Sequence, residues 1–212
     1  MIRHGQTDWN AELRMQGQRD IPLNALGRSQ ATGNGHALAA LAGDGIGSFD
    51  FVSSPLSRTR ETMERLRAAM GLDPRAYRTD DRLIEINFGD WEGHTLADLE
   101  TLWPERVEAR SRGKWDFIPP GKDAESYEIL SWRVGSWLRT VTQPTVCVSH
   151  GGIMRSVLRL VGGYSGDEAA EANIRQDRVL KVDTGAGTAL WCETGAEAAA
   201  AVEDVPAPVP ER

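Results

Sequence analysis

The chain has 212 residues, of which 40% are hydrophobic and 26% are charged, and it contains 22 glycines. These are ordinary globular values, and they exclude disordered, collagen-like and fibrous chains. The length predicts one domain with a core large enough to fold without disulfide bonds. Acidic residues outnumber basic ones by 31 to 24, a net charge of −7. That balance argues against nucleic acid or an anionic membrane as the main partner.

In chain order, the first predicted helix begins near Asn24, a good N-cap residue, and runs toward Leu41. A β-rich run at residues 50–52 is followed by Pro55 at a helix start and by Gly71 at the helix end. The alternation of a short strand, a turn and a helix is typical of a parallel sheet.

The second half of the chain repeats this alternation. A long helix is predicted from Ser126 to Val141, and a strand at 145–149 leads into a helix through 153–161. Two later runs, 178–183 and 188–191, flank a Gly-Ala-Gly turn and predict a hairpin. The fold class is therefore α/β: a three-layer sandwich, with a mostly parallel central sheet and helices on both faces.

We predict a single domain over residues 1–194, with a helical insertion at about 96–123 over one edge of the sheet. The Ala/Pro-rich segment 195–212 has little to bury and should be a flexible tail. The insertion contains two tryptophans, for which we favour a core role, and three arginines that could face a substrate: Trp103, Trp115, Arg106, Arg110 and Arg112.

The two cysteines are Cys147, inside an apolar run, and Cys192. They could pair, but a reduced cytoplasmic chain is the simpler interpretation. We see no leader segment and no apolar run of membrane-spanning length, so we expect a cytoplasmic protein that does not bind membranes. The oligomeric state stays open, a homodimer included.

The four histidines can be considered one by one. His36 lies in an Ala-rich helix and His94 in a loop, where solvated or structural roles are expected. His150 ends an apolar strand and begins a helix through Gly151 and Gly152, whose N–H groups can face an anion at the positive end of the helix dipole. A histidine that is merely hydrogen-bonded at a strand end explains this segment equally well.

Two further strand ends carry cations. Arg3 and His4 precede a glycine, a combination of a permanent cation, a titratable nitrogen and exposed backbone that suits an anion site. Arg58 and Arg60 fall in the first turn of a helix, where positive charge is unfavourable because it opposes the helix dipole. A bound anion would explain why arginines stand at these positions. For Arg60 a solvated helix face competes with this interpretation.

The carboxyl ends of parallel strands meet at one edge of a sheet, so these cations should converge on a small, doubly charged anion such as a phosphoryl group. A neutral imidazole can attack phosphorus and carry the phosphoryl group covalently. The acid must be a carboxyl that stays protonated near neutrality, and Glu85, which alternates with apolar neighbours, could be partly desolvated. Glu85 could instead be an ordinary ion-pair partner, with Asp8, Asp90 or Glu92 as the acid.

Five blocks in chain order resemble the histidine phosphatase superfamily, which is also called phosphoglycerate mutase-like. They are Arg3–Asn10, Gln16–Leu23, Ser54–Thr59, Leu83–Gly93 and Ser149–Gly152. The resemblance implies a phosphoglycerate mutase-like fold. The last part of the fourth block, Phe88–Gly93, is more similar to the phosphatase-type branch of the family than to its cofactor-dependent glycolytic mutases. The resemblance also implies His4 as the phosphorylated nucleophile, Glu85 as the proton donor, and a phosphoryl clamp of Arg3, Arg58 and His150.

The same resemblance implies a substrate-binding set of Gly5, Thr7, Asn10, Gln16, Gly17, Arg60, Gly151 and Gly152. No cofactor is implied, and the sequence shows no spacing of carboxylates and histidines that is typical of a metal site. Only Met1 and Ile2 precede Arg3, so we expect a short central strand that weakens stability and the placement of His4.

The expected function is a phosphomonoesterase that hydrolyses a small phosphorylated metabolite through a phosphohistidine. A phosphoglycerate mutase, which returns the phosphoryl group to a glycerate, shares the first half of that reaction. A non-catalytic module that binds a phosphorylated ligand is the third alternative, and the presence of both histidines and Glu85 makes it less favoured.

Overall fold

The computed structural model describes residues 1–192, so the predicted tail at 195–212 lies outside the described residues. Its strands are β1 (Ile2–Arg3), β2 (Asp50–Ser53), β3 (Arg78–Thr79), β4 (Thr145–Ser149), β5 (Val179–Asp183) and β6 (Thr188–Cys192). They form one sheet in the order β3-β2-β4-β1-β5-β6. The first four strands in this order run parallel to one another, and β5 is antiparallel to both of its neighbours, β1 and β6. The mostly parallel α/β sheet and the C-terminal hairpin are confirmed.

The helices are α1 (Asp8–Ala11), α2 (Ala25–Ala42), α3 (Ser57–Ala69), α4 (Leu96–Leu102), α5 (Pro104–Arg112), α6 (Tyr127–Leu138), α7 (Gly151–Leu160) and α8 (Gly166–Glu171). Short 3-10 turns occupy Gly43–Ser48, Asp81–Leu83 and Gly89–Trp91. The predicted cap Asn24 is present and accepts from the Gly27 N–H, and Ser126 caps α6 by accepting from the Ile129 N–H. Within residues 1–192, no helix has both the length and the apolar character needed to cross a membrane.

The helix boundaries differ from the prediction at two places. Helix α3 begins two residues after Pro55, and α6 ends at Leu138 rather than Val141. The Val141 side chain still packs on the core, so its apolar character extended the predicted helix beyond the real end. Strand β3 and helices α1 and α8 were not predicted, because two to six residues are too few for a periodic pattern.

Helices cover both faces of the sheet because successive strand residues point in opposite directions. Val146 and Val148 of β4 pack in a core cluster with residues of α2 and α3, whereas Cys147 packs in a second cluster with residues of α6 and α7. Both cysteines are unpaired. In the 96–123 segment, Trp115 is buried and stacks on Tyr127, which confirms a core role, and Trp103 is half-buried against His94.

Strand β1 has two residues yet lies near the centre of the sheet. Ile2 is fully buried and pairs with Val148 on one side and Val179 on the other. The ladder continues past the strand, because the His4 N–H donates to the Ser149 carbonyl at 2.9 Å. The expected short central strand is therefore present, and its neighbours fix the start of the segment that carries His4.

A close backbone approach fixes the segment after His4 against α2. A Cβ atom at Gly27 would lie 2.1 Å from the carbonyl oxygen of Gln6, whereas a Cβ at Gly33 of the same helix meets nothing within 4 Å. We expect Gly27→Ala to destabilise the protein by about 1–3 kcal/mol, because the backbone must move. Gly33→Ala, the matched control, should be neutral or stabilise by roughly 0.5–1 kcal/mol. Urea unfolding of both variants checks this, and equal stabilities would contradict it.

Candidate active site

Two histidines from distant parts of the chain meet at one edge of the sheet. His4 follows β1 and His150 follows β4, which are adjacent parallel strands. The two rings are in contact, with centroids 5.2 Å apart and planes at 63°, so the edge of one ring meets the face of the other. Arg58 lies in the first turn of α3, the helix that follows β2, and β2 is the third strand of this parallel set. The predicted convergence of strand ends is thus present.

His4 is held as a neutral imidazole with a defined tautomer. Its Nδ1 lies 2.8 Å from the Gly5 carbonyl oxygen, and because a carbonyl only accepts, Nδ1 carries the proton. Burial, together with the charges of Arg58 and Arg3, lowers the pKa of His4 well below its usual range. A neutral ring protonated on Nδ1 has its lone pair on Nε2, which is the requirement for a nitrogen nucleophile.

His150 is fully buried behind His4. Its Nε2 lies 2.8 Å from the Ser54 hydroxyl, and its Nδ1 has no hydrogen-bond partner within residues 1–192. Burial and the charge of Arg58 lower the pKa of His150 well below its usual range. It does not line the cavity described below, so it contacts the site through the ring of His4.

Arg58 is buried completely and binds the loop that follows α1. Its guanidinium donates to the carbonyl oxygens of Gly17 and Arg19 at 2.8 and 2.7 Å. With the Gln16 amide oxygen turned toward it, Arg58 also donates to Gln16 at 2.9 and 3.0 Å. Burial lowers the pKa of Arg58 to about 10, so it remains a cation at neutral pH.

Arg3 supplies a second cation beside His4. One of its terminal nitrogens donates to the Ile174 carbonyl at 2.8 Å, and its Nε is buried without a partner among the described residues. Burial, and then the nearby charge of Arg155, lower the pKa of Arg3 to about 10. An unpaired N–H of a charged guanidinium is a donor available to an anionic ligand.

The carboxylate of Glu85 lies across the start of α7. It accepts from the Ile86 N–H at 3.0 Å and from the Gly152 N–H at 3.0 and 3.2 Å. The predicted role of Gly152 therefore needs correction: its N–H is not free for a substrate anion, because a side chain of the protein occupies it. A Cβ at Gly152 would lie 2.4 Å from a Glu85 oxygen, so a larger residue there would displace this carboxylate.

Arg133 of α6 holds the backbone that carries Glu85. Its guanidinium donates to the carbonyl oxygens of Arg82, Ile84 and Glu85, and it forms an ion pair with Glu125 at 2.9 Å. No sequence signal pointed to Arg133, because the three carbonyl groups that it binds are about fifty positions away. It acts as a positioning residue for the segment on which Glu85 lies.

A cavity of about 340 Å³ joins these groups. From the predicted set it is lined by Arg3, His4, Asn10, Gln16, Gly17, Arg58, Glu85, Gly151 and Gly152. Gly5 and Thr7 lie behind this lining: the Gly5 N–H donates to the Thr62 hydroxyl, and Thr7 caps α1. Arg60 does not belong to the cavity. It lies beside Tyr77 in a separate surface cleft, so the structure does not bring Arg60 together with the rest of the predicted set.

The three carboxylates considered as alternative proton donors do not line this cavity. Asp8 and Asp90 are exposed, and Glu92 accepts from the Gln18 N–H at 2.8 Å beneath the same loop that Arg58 holds. Glu85 is the only carboxylate among the described residues that line the cavity. Residues 1–192 contain no group of three or more His, Cys, Asp or Glu side chains arranged to hold a metal ion.

Several lining residues were not predicted as part of the site. Lys114, Tyr127, Arg155 and Gln176 reach the cavity from separate parts of the chain, and Leu13, Met15 and Phe88 form an apolar part of its wall. Arg155 had a possible signal, since it lies five residues after His150 on the helix that follows it. Of the three arginines of the 96–123 segment, Arg110 lines the cavity, and Arg106 and Arg112 are exposed.

Residues 1–191 match the family described as the histidine phosphatase superfamily (branch 1). The chain belongs to this superfamily. It is 33% identical over 204 residues to the probable phosphoglycerate mutase GpmB of Shigella boydii, covering 92% of this chain and 87% of that protein. The resemblance inferred from the five motif blocks is thereby confirmed, and the protein is an enzyme of the histidine phosphatase and phosphoglycerate mutase family.

Two solved structures of similar sequence support the fold. The crystal structure of TTHB049 from Thermus thermophilus is 34% identical with a TM-score of 0.67, covering 89% of this chain and 94% of that one. The native structure of a mycobacterial glucosyl-3-phosphoglycerate phosphatase is 31% identical with a TM-score of 0.63, covering 80% and 81%. The relatives named here thus include one called a probable phosphoglycerate mutase and one called a phosphatase.

Proposed function

We propose that the protein is a phosphomonoesterase that hydrolyses a small phosphorylated metabolite through a phosphohistidine on His4. The observation that carries this proposal is the state of His4: a neutral imidazole, protonated on Nδ1, that lines a cavity between two guanidinium groups. Arg3 and Arg58 supply the positive charge that a phosphoryl dianion needs, and Glu85 is a carboxyl in the same cavity.

The reaction has two steps. In the first, Nε2 of His4 forms a bond to phosphorus while the bond from phosphorus to the leaving oxygen breaks, and the Glu85 carboxyl gives its proton to that oxygen. In the second, the Glu85 carboxylate takes a proton from water, the hydroxide attacks phosphorus, and the N–P bond breaks to release phosphate. Arg3 and Arg58 stabilise the charge on the phosphoryl oxygens in both steps.

His150 supports the nucleophile from behind. Its ring contacts the ring of His4, and its Nδ1, which has no partner within residues 1–192, is the nitrogen that we assign as a donor to a phosphoryl oxygen. Catalytic hydrogen bonds of this kind commonly form only in the complex with substrate. We assign His150 to the phosphoryl clamp on this basis.

The test of the mechanism is a leaving-group series on Glu85→Gln. Aryl phosphates with good leaving groups need little protonation, so their turnover should fall by less than about tenfold, whereas alkyl phosphates should lose about 10²–10⁴-fold. Initial rates for both classes, with wild-type protein and with Glu100→Gln as an exposed carboxylate control on α4, measure this. Equal losses for both classes would contradict the role of Glu85 as proton donor.

A mutase activity is the second candidate, because the relatives named above include a probable phosphoglycerate mutase. The two activities share the first step and differ only in whether water or a glycerate accepts the phosphoryl group. Incubation with 3-phosphoglycerate, with and without a bisphosphoglycerate primer, separates them: phosphate release supports the phosphomonoesterase, and primer-dependent 2-phosphoglycerate supports the mutase. Binding of the substrate with neither product would favour a non-catalytic module.

A further inference from the structure

Leu13 lines the cavity in a backbone conformation that leucine seldom adopts. Its φ is 58°, and Asp123 is the only other non-glycine residue with a positive φ among residues 1–192. This left-handed conformation brings Cβ close to the following carbonyl oxygen, so glycine or asparagine is the usual residue there. Leu13 is also 81% exposed. Neither the backbone nor burial in the folded protein therefore accounts for a leucine at this position.

The conformation of Leu13 is imposed by the way in which α1 ends. The Leu13 N–H donates to the Asn10 carbonyl at 3.2 Å, and the Arg14 N–H donates to the Trp9 carbonyl at 2.9 Å. These two bonds form a Schellman motif, in which the residue after the helix C-cap is left-handed. Directly after Leu13, Arg14 pairs with Thr95 in an isolated β-bridge. The backbone is thus held on both sides of Leu13, and its surroundings set its φ.

Two more apolar side chains line the cavity with Leu13. They are Met15 and Phe88, both half-buried, and we call the three residues together the apolar rim. Phe88 packs against the core cluster that includes residues of α6 and α7, and the Met15 N–H donates to the His94 carbonyl at 2.9 Å. The protein itself therefore fixes two members of the apolar rim, whereas the side chain of Leu13 remains mostly in water.

A ligand in the cavity is the group that can cover Leu13. Apolar surface exposed to water is stabilised when another apolar group removes it from the solvent. A residue that is held in an unfavourable conformation at a cavity, where the surrounding structure fixes it, indicates a functional role. The phosphoryl group is polar, and Arg3 and Arg58 supply its partners, so the apolar contact must come from the rest of the substrate.

We propose that Leu13 is a specificity-determining residue, which together with Met15 and Phe88 contacts an apolar alkyl or aryl part of the leaving group. The inference rests on the proposed function and deepens it. The preferred substrates are phosphomonoesters that carry a hydrocarbon group next to the leaving oxygen, rather than esters of methanol or of alcohols that are polar throughout.

Phosphonates test this proposal because they bind without hydrolysis of the C–P bond, so the experiment measures affinity alone. Methylphosphonate offers little more than the group that the clamp holds, whereas butylphosphonate adds an alkyl group and benzylphosphonate an aryl group. Calorimetry on the wild-type protein should show at least one of the two larger probes binding about tenfold tighter than methylphosphonate. The larger gain shows whether an alkyl or an aryl group fits better.

Leu13→Asn should remove most of that tenfold advantage and leave methylphosphonate binding within about twofold of wild type. The same variant should raise Tm by roughly 1–4 °C, because asparagine adopts the left-handed conformation more readily than leucine. A purely structural role of Leu13 would give the opposite change in Tm. Leu13→Met keeps an apolar side chain, so it should keep the affinity advantage and a Tm within about 1 °C of wild type.

Leu41→Asn is the matched control, since Leu41 is a leucine on α2 that is 50% exposed and does not line the cavity. It should keep the full advantage. The proposal is overturned if neither larger probe gains affinity, if Leu13→Asn keeps the advantage or lowers Tm, if it weakens methylphosphonate binding equally, or if Leu41→Asn loses the advantage as well. Because no step depends on hydrolysis, an inactive protein that retains the advantage would refute only the phosphomonoesterase activity.

Discussion

His4→Ala should abolish turnover of phenyl phosphate, lowering kcat by at least about 10⁴-fold, because the attacking nitrogen is removed and the remaining cations only bind the phosphoryl group. This expectation follows from the neutral state of His4. The low pKa that burial and the two arginines impose leaves its lone pair available at neutral pH. Steady-state rates at pH 7 measure the loss.

Two observations accompany this experiment. Rapid alkaline quenching of the wild-type protein with substrate should trap a phosphorylated protein, and His4→Ala should show none. His36→Ala is the control, since His36 is exposed on α2 and should be fully active. Substantial residual turnover in His4→Ala, or a phosphoryl group found on another residue, would refute the assignment of the nucleophile.

Arg58→Met should lower both activity and stability, because it removes a charge of the clamp and also the support of a loop. Arg58 donates to the carbonyl oxygens of Gly17 and Arg19, and Gly17 lines the cavity. We expect kcat/KM to fall about 10²–10³-fold through lost stabilisation of the phosphoryl oxygens. We also expect the free energy of unfolding to fall by about 1–3 kcal/mol, since buried carbonyls lose their donor.

Arg58→Lys separates the two causes. Lysine keeps the charge but lacks the planar fork that binds two carbonyls at once, so it should recover only part of the activity. Arg65→Met on the same helix is the control, because Arg65 forms a half-exposed ion pair with Glu61 at 2.9 Å. Rates and urea unfolding of the three variants check the prediction. An Arg58→Met variant with the activity of Arg65→Met would show that the clamp does not need this guanidinium.

The local patterns of the chain were enough to predict most of the framework. Asn24 and Ser126 begin helices because their side chains accept from the N–H groups that a helix start leaves unpaired. The apolar run at 145–149 followed by His150 predicted a strand that ends where a helix begins. The elements that were not predicted are the shortest ones, β3, α1 and α8, because their conformation depends on tertiary neighbours more than on their own sequence pattern.

The electrostatic detail of the site was harder to predict. Glu85 was predicted as the acid from its apolar neighbours, but its position depends on the Gly152 N–H and on Arg133 beneath its backbone. These partners are separated from Glu85 by 67 and 48 positions along the chain. A pattern within one segment cannot report such contacts, because they form only when the helices pack on the sheet.

The sequence by itself determined which chemical groups stand at the strand ends, and so which family of reactions to expect. Local order decides these features: Arg3, His4 and His150 each stand where a strand ends and a turn begins, and the ends of parallel strands share one edge of a sheet. Only the tertiary structure decided which cations share the cavity. Arg58 and Arg60 are two residues apart and so about 200° apart around the helix, which turns one into the site and the other toward Tyr77. Lys114 and Arg155 enter the cavity because packing between distant helices, and not spacing along the chain, brings their charges together.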